Sequence, residues 1–283
     1  MIRSYSHIVD VLIEERAPRL VASGFWPTLR PVLYAILGYE KARAMVDAVS
    51  QMPGTEALAH VSNLLAVRVA VSGLENLPRQ GRLILVANHP TGIADGIAVY
   101  DALKARRPDI CFFANSDAHR VCSGFDDVLI PVEWVEEKRT RDSARTTLKQ
   151  AQAAFEAERA VMIFPAGRLA RRERSGVLVD PDWMPSALSL ARKYNAPVLP
   201  IHMTGPNSTL FHLFDKVSRE LRDITLFHEL LNKRGGQFHL TLGPPISPEQ
   251  LGGDAGLATT ALKAYVETQL PFHPDRAFSP VAA

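Results

Sequence analysis

Six short apolar runs recur beyond residue 80: Leu83–Ala87, Ile110–Ala114, Val128–Val132, Ala160–Phe164, Val198–Met203 and Phe238–Leu242. Each has the length of a strand. Longer helix candidates separate several of them, at Ala94–Arg106, Arg141–Ala157 and Pro185–Asn195. Buried-looking strands alternating with helices predict an α/β sheet covered on both faces. Val67–Val71 alternates apolar and polar residues and adds a half-buried strand at the start of this region. Before it, residues 4–65 read as helical pieces, with Ile8, Val11, Leu12 and Glu15, then Ala42, Met45, Val46 and Val49, at helical spacing. A last helix is expected over Gly256–Gln269. The chain thus divides into an N-terminal helical segment (1–65), an α/β domain (66–275) and a loosely held tail (276–283).

The first strand of the main alternation carries the most chemistry. Leu83–Ala87 stops at Asn88-His89-Pro90, and an apolar-periodic segment opens at Asp95-Gly96. Pro90 lacks an N–H and pushes His89 away from the α region, so the strand ends there. His89 and Asp95 are six residues apart, which on a regular helix places them roughly 240° apart. They meet only if residues 90–93 form a turn, which Pro90 and Gly92 permit. Two readings fit. In one, the carboxylate orients the imidazole of a general base. In the other, His89 ends the strand with a backbone hydrogen bond and Asp95 is a helix N-cap.

Val161–Arg174 repeats the pattern of strand, turn and polar group, with Pro165, Gly167 and Arg168 at the turn and Arg171, Arg172 and Arg174 beyond it. A guanidinium at a strand end suits a phosphate or carboxylate. The alternative is a solvated basic loop. Lys138, Arg139, Arg141 and Arg145 form a second basic group, read either as part of a positive mouth or as a charged helix face. His202 alternates with apolar neighbours and reads as structural. The remaining histidines have no metal-ligand spacing, so no metal is expected.

Composition narrows the partners. A formal net charge of +2 gives no case for nucleic acid, and Cys111 and Cys122 alone make neither a disulfide framework nor a CxxC site. The N-terminus has early acids and no long apolar core, so no secretory signal is expected. No run of 18 uncharged apolar residues occurs. Phe25–Tyr39 comes nearest to a membrane signal: short, apolar and rich in aromatics, it reads either as an interfacial helix or as one packed on the body. GxSxG, GxGxxG, Walker A and HExxH signatures are absent.

Taken in order, Asn88-His89 to Asp95, the strand before Pro131, Phe164-Pro165-x-Gly167 and Val198–Pro200 resemble the four blocks of the glycerolipid acyltransferases, over about residues 70–245. The resemblance implies a glycerol-3-phosphate-acyltransferase-like fold and transfer of a fatty acyl group from an acyl-CoA or acyl-carrier-protein thioester to a lysolipid hydroxyl. It implies His89 as base and Asp95 as its partner, with Asn88, Gly92, Phe164, Pro165, Gly167, Arg168 and Pro200 serving the substrate. No metal or redox cofactor is required by this chemistry, and membrane lipids are the implied partners at the cytoplasmic face of the inner membrane.

Two departures refine the resemblance. Five residues rather than four separate His89 from Asp95, and Ala166 stands where the family's FPEG block has its acid. Both features are similar to a bacterial subgroup labelled hemolysin-like, with the pattern NHPxGxxDG, FPAG and GxNS, matched here by His89–Gly96, Phe164–Gly167 and Gly205-Pro206-Asn207-Ser208. That subgroup includes enzymes that O-acylate a lyso-ornithine lipid, and the missing acid points away from glycerol 3-phosphate as acceptor. A thioester hydrolase of the same architecture and a non-enzymatic membrane-associated protein are the alternatives.

Overall fold

The computed structural model describes residues 6–133, 140–172, 178–206 and 208–280. Five helices come first: α1 (Ile8–Arg16), α2 (Pro18–Val21), α3 (Trp26–Leu37), α4 (Tyr39–Val49) and α5 (Gly54–Leu65). The α/β region follows with β1 (Arg68–Ser72), β2 (Leu83–Ala87), α6 (Ile93–Leu103), β3 (Cys111–Asn115), α7 (Asp117–Val121) and β4 (Leu129–Val132). It continues with α8 (Arg141–Glu156), β5 (Ala160–Ile163), β6 (Arg171–Arg172), β7 (Leu178–Val179), α9 (Ser186–Tyr194) and β8 (Val198–Thr204). Three short helices, α10 (Thr209–Val217), α11 (Arg219–Asp223) and α12 (Leu226–Leu231), precede β9 (Gln237–Leu242), and α13 (Ala255–Ala264) runs into a π turn at Tyr265–Gln269.

Seven strands make one sheet in the order β1-β9-β8-β2-β5-β3-β4. The five from β8 to β4 are mutually parallel, whereas β9 runs antiparallel to β8 and parallel to β1. Along β2 the side chains alternate between two cores, with Leu83, Leu85 and Ala87 in one and Ile84 and Val86 in the other. A strand buried on both sides reads as an uninterrupted apolar run, which is why it was legible. The first core also takes in Val9, Leu12, Trp26, Leu33 and Leu65, so the N-terminal helices pack on the sheet. The second is closed by α8, α9 and α13.

Three expectations change. The tail is held at least as far as Phe278, whose ring is buried against Tyr265 while the Tyr265 hydroxyl donates to the Arg276 carbonyl at 2.6 Å. α3 is oriented by its neighbours: Trp26 and Leu33 point into the core, and Phe25, Val32 and Ile36 face outward at 79%, 55% and 51% exposure. The ribbon β6–β7 and the helices α10–α12 were not anticipated.

Candidate active site

Because β2, β5 and β8 are parallel, the chain leaves all three at one edge of the sheet. There β2 gives way to Asn88, His89 and a turn through Pro90, Thr91 and Gly92, and α6 starts at Ile93. Gly92 has φ 90° and ψ −138°, a conformation that only glycine adopts without strain. This turn is what lets two residues on opposite sides of a helical wheel meet. His89 Nδ1 lies 3.0 Å from Asp95 Oδ2.

Asp95, at 0% exposure, is built in from three donors. Oδ2 accepts the N–H groups of Thr91 (2.9 Å) and Gly92 (3.1 Å), and Oδ1 accepts the Thr91 hydroxyl at 2.6 Å. These bonds compensate the burial of the carboxylate at a helix N-terminus. The His89–Asp95 contact is close but imperfectly aligned, since Nδ1 meets hydrogen-bond angles with no acceptor. Such contacts commonly tighten when substrate binds. A carboxylate at Nδ1 favours the proton there, which leaves Nε2 as the basic nitrogen.

Three further elements hold His89. Its ring stacks on Phe164 with centroids 4.3 Å apart and planes 25° from parallel. Its carbonyl accepts the Ala170 N–H at 2.9 Å. Its own N–H donates to both carboxylate oxygens of Asp180 at 3.1 Å. Asp180 also accepts the Trp183 indole N–H at 2.9 Å, and burial pushes its carboxyl up to about 6. Sequence reasoning passed over Thr91, Asp180 and Trp183. The short polar stretch around Asp180 has no periodicity, and only its proximity to a ribbon that had not been anticipated brings it under His89.

The loop after β5 turns at Phe164–Gly167, where the Gly167 N–H reaches the Phe164 carbonyl at 3.0 Å and Gly167 has φ 61°. Pro165 is buried, with its carbonyl accepting the Met184 N–H. Ala166 is 7% exposed within the second apolar core, which explains why an acid is absent at this position. Arg168 is exposed and has no ion pair among the described residues. Leu169 then lies over the catalytic turn, close enough that a Cβ on Gly92 would be 3.1 Å from its Cδ2.

Two residues expected at the substrate have other tasks. The Asn88 side chain donates to the Met203 carbonyl (2.9 Å) and accepts the Met203 N–H (2.7 Å), tying β2 to β8. Pro200 is buried inside the sheet beside Val86, its carbonyl accepting the Gly243 N–H, and so lies away from the mouth. Gly205 packs against the turn, since a Cβ there would sit 2.8 Å from Thr91 Cγ2. Asn207 of the same block lies outside the described residues, as do Lys138, Arg139 and Arg174; Arg141 and Arg145 are exposed on α8. His202 Nδ1 contacts the Val266 carbonyl at 2.9 Å, and burial lowers its pKa, in keeping with a structural histidine. Among the described residues no cluster of three potential metal ligands occurs, and no helix is long and apolar enough to cross a membrane.

Residues 68–204 match the family model described as Acyltransferase, a span from β1 through β8 that holds His89, Asp95, Arg168 and Asp180. The chain is 29% identical over 200 residues to a lyso-glycine lipid O-acyltransferase of Phocaeicola vulgatus, covering 68% of this chain and 69% of that protein. It is 28% identical over 220 residues to a lyso-glycine lipid O-acyltransferase of Bacteroides thetaiotaomicron, covering 76% and 79%. It is also similar to the crystal structure of the 1-acyl-sn-glycerophosphate (LPA) acyltransferase PlsC from Thermotoga maritima, with TM-score 0.47 and 16% identity over 95% of this chain and 99% of that one. The non-enzymatic alternative is thereby set aside, and the chain belongs to the glycerolipid acyltransferase family.

Proposed function

We propose that this acyltransferase esterifies the free hydroxyl of a lysolipid of the amino-acid type, with an acyl-CoA or acyl-carrier-protein thioester as donor. The observation that carries the mechanism is the 3.0 Å contact between His89 Nδ1 and the fully buried Asp95. A lipid hydroxyl is a weak nucleophile near neutral pH, so His89 Nε2 removes its proton as the oxygen attacks the thioester carbonyl. Asp95 orients the ring and stabilises the imidazolium. Collapse of the tetrahedral intermediate breaks the C–S bond, the thiolate leaves, and the imidazolium returns its proton. The Thr91 and Gly92 N–H groups are engaged by Asp95. Within the turn this leaves the N–H groups of Ile93 and Ala94 to receive the oxyanion.

The acceptor class follows the matched proteins, which act on a lyso-glycine lipid. The test is product analysis by mass spectrometry. The purified chain is given acyl-CoA or acyl-carrier protein together with lyso-glycine lipid, lyso-ornithine lipid or lysophosphatidic acid. Acylation of the amino-acid lipids in preference to lysophosphatidic acid is the expected result. Thioester hydrolysis with no acylated lipid would sink the proposal.

Arg168 is proposed to hold the acceptor's anionic group. Arg168→Ala is then expected to raise the acceptor KM roughly tenfold to a hundredfold, the worth of a charged hydrogen bond, and to change the thioester KM little. Arg168→Lys restores only part of the loss, because a point charge lacks the guanidinium fork. Steady-state kinetics with each substrate varied separates these outcomes.

The proposed location is peripheral, on the cytoplasmic face of the membrane, with α3 as the contact. Its outward side carries Phe25, Val32, Ala35 and Ile36, and its one cation, Arg30, is drawn to Asp10 at 2.8 Å and Glu14 at 3.7 Å. Phe25→Ser with Ile36→Ser is expected to weaken binding to anionic vesicles about tenfold or more, from the apolar area withdrawn from lipid. Trp26→Ser and Leu33→Ser would instead damage the core. Vesicle sedimentation that is unchanged by the Phe25/Ile36 pair would assign α3 to packing alone.

A further inference from the structure

We propose that Asp180 is a positioning residue for acyl transfer, a second carboxylate that serves His89 through its backbone while Asp95 serves the ring. The inference rests on the reading of His89 as the base. Asp180 is 4% exposed, yet no lysine or arginine pairs with it among the described residues. Its hydrogen-bond donors are the neutral N–H groups of His89 and Trp183. A buried carboxylate without a cation is costly, and packing alone does not require one here, because an amide would satisfy both donors.

The charged groups around it explain what the carboxylate is for. Glu267 of the π turn accepts the Asp180 N–H at 3.1 Å, adds like charge, and is itself 3.6 Å from Lys263. Asp95 lies on the far side of His89, against the ring. Asp182, on the same segment, and Arg171, opposite Val179 in the ribbon, are both exposed. The cation that arises beside Asp180 is therefore the imidazolium that forms when His89 takes the acceptor's proton. A carboxylate left uncompensated before the reaction, and compensated as positive charge develops, stabilises the transition state more than the ground state.

The test is Asp180→Asn, which keeps an acceptor for the His89 N–H and removes the charge. The expected result is a kcat lower by about tenfold with both KM values little changed. The acid limb of the kcat–pH profile should move to lower pH by about half a unit to one unit, because loss of a nearby anion disfavours the imidazolium. The raised carboxyl adds a sign. The folded state holds the Asp180 proton more tightly than the unfolded chain, so this group's contribution falls as pH rises through about 6. At pH 8 Asp180→Asn is thus expected to unfold at a temperature equal to or above that of the wild type, whereas a purely structural carboxylate would leave it less stable. Trp183→Phe, which removes one donor from the carboxylate, should move the limb in the same direction by less, and supplies the answer if Asp180→Asn does not fold.

An acid limb that stays in place in both variants would overturn the inference. NMR titration of the His89 imidazole, assigned by its loss in His89→Ala, reads the coupling without turnover. An unmoved imidazole titration refutes the role of Asp180, while full turnover in His89→Ala refutes the base itself.

Discussion

Replacing His89 with alanine is expected to lower the acylation rate by roughly 10²- to 10⁴-fold, the usual worth of a positioned general base. The fold should persist, because the neighbours that fix this residue hold its backbone. Asp180 takes its N–H and Ala170 donates to its carbonyl, and neither bond involves the ring. The stability lost is that of one stacking contact with Phe164. Asp95→Asn should be similarly severe. An amide retains the acceptor for the Thr91 and Gly92 N–H groups, so the turn survives, but the charge that offsets the imidazolium is gone. Rates from single-turnover assays, with thermal unfolding as the control for folding, check both. A His89→Ala enzyme at wild-type rate would remove the residue from the mechanism.

Gly92→Ala is expected to be the most damaging methyl group in the protein. At φ 90° and ψ −138° an L side chain is strained, and the new Cβ would press on Leu169 at 3.1 and 3.3 Å. Strain of this kind costs about 1–3 kcal/mol, which corresponds to a fall of roughly 2–10 °C in Tm for a chain of this size. Relief by rotation of the turn would carry Thr91 and Gly92 away from Asp95 and separate it from His89. The rate should therefore fall by much more than the stability change alone explains. Leu169→Ala in the same background removes the crowding and leaves the backbone strain, so partial recovery of Tm without recovery of kcat is the expected pattern. Unchanged Tm and kcat in Gly92→Ala would mean that the turn does not depend on this glycine.

How far the molecule could be read in advance depended on whether the information was local. The buried strands stood out because both faces of β2, β5 and β8 are apolar, and the His89–Asp95 turn because Pro90 and Gly92 are strong backbone signals. Strand direction left no such mark: nothing in Phe238–Leu242 distinguishes an antiparallel β9 from a parallel one. α3 shows the limit of periodicity, since Trp26, Leu33 and Leu37 form one apolar side and Phe25, Val32 and Ile36 another. Only packing decides which of them faces out. Asn88 and Pro200 sit in blocks shared with the family, but their partners, Met203 and Gly243, are supplied by tertiary contact. Asp180 reaches His89 across 91 residues, a distance no local pattern spans.

The Asn88 side chain has a mechanical consequence for the mouth of the site. By both giving and taking a hydrogen bond with the Met203 backbone, it reproduces the exchange made by paired residues in a ladder, so the sheet gains one more rung beyond β2. On the other flank β5 stops at Ile163, and the chain returns to His89 only through the Ala170 N–H. The opening thus has one fixed jaw and one compliant jaw. Any widening needed to admit a long acyl chain falls on the loop from Phe164 to Ala170, while the jaw toward β8 keeps its place.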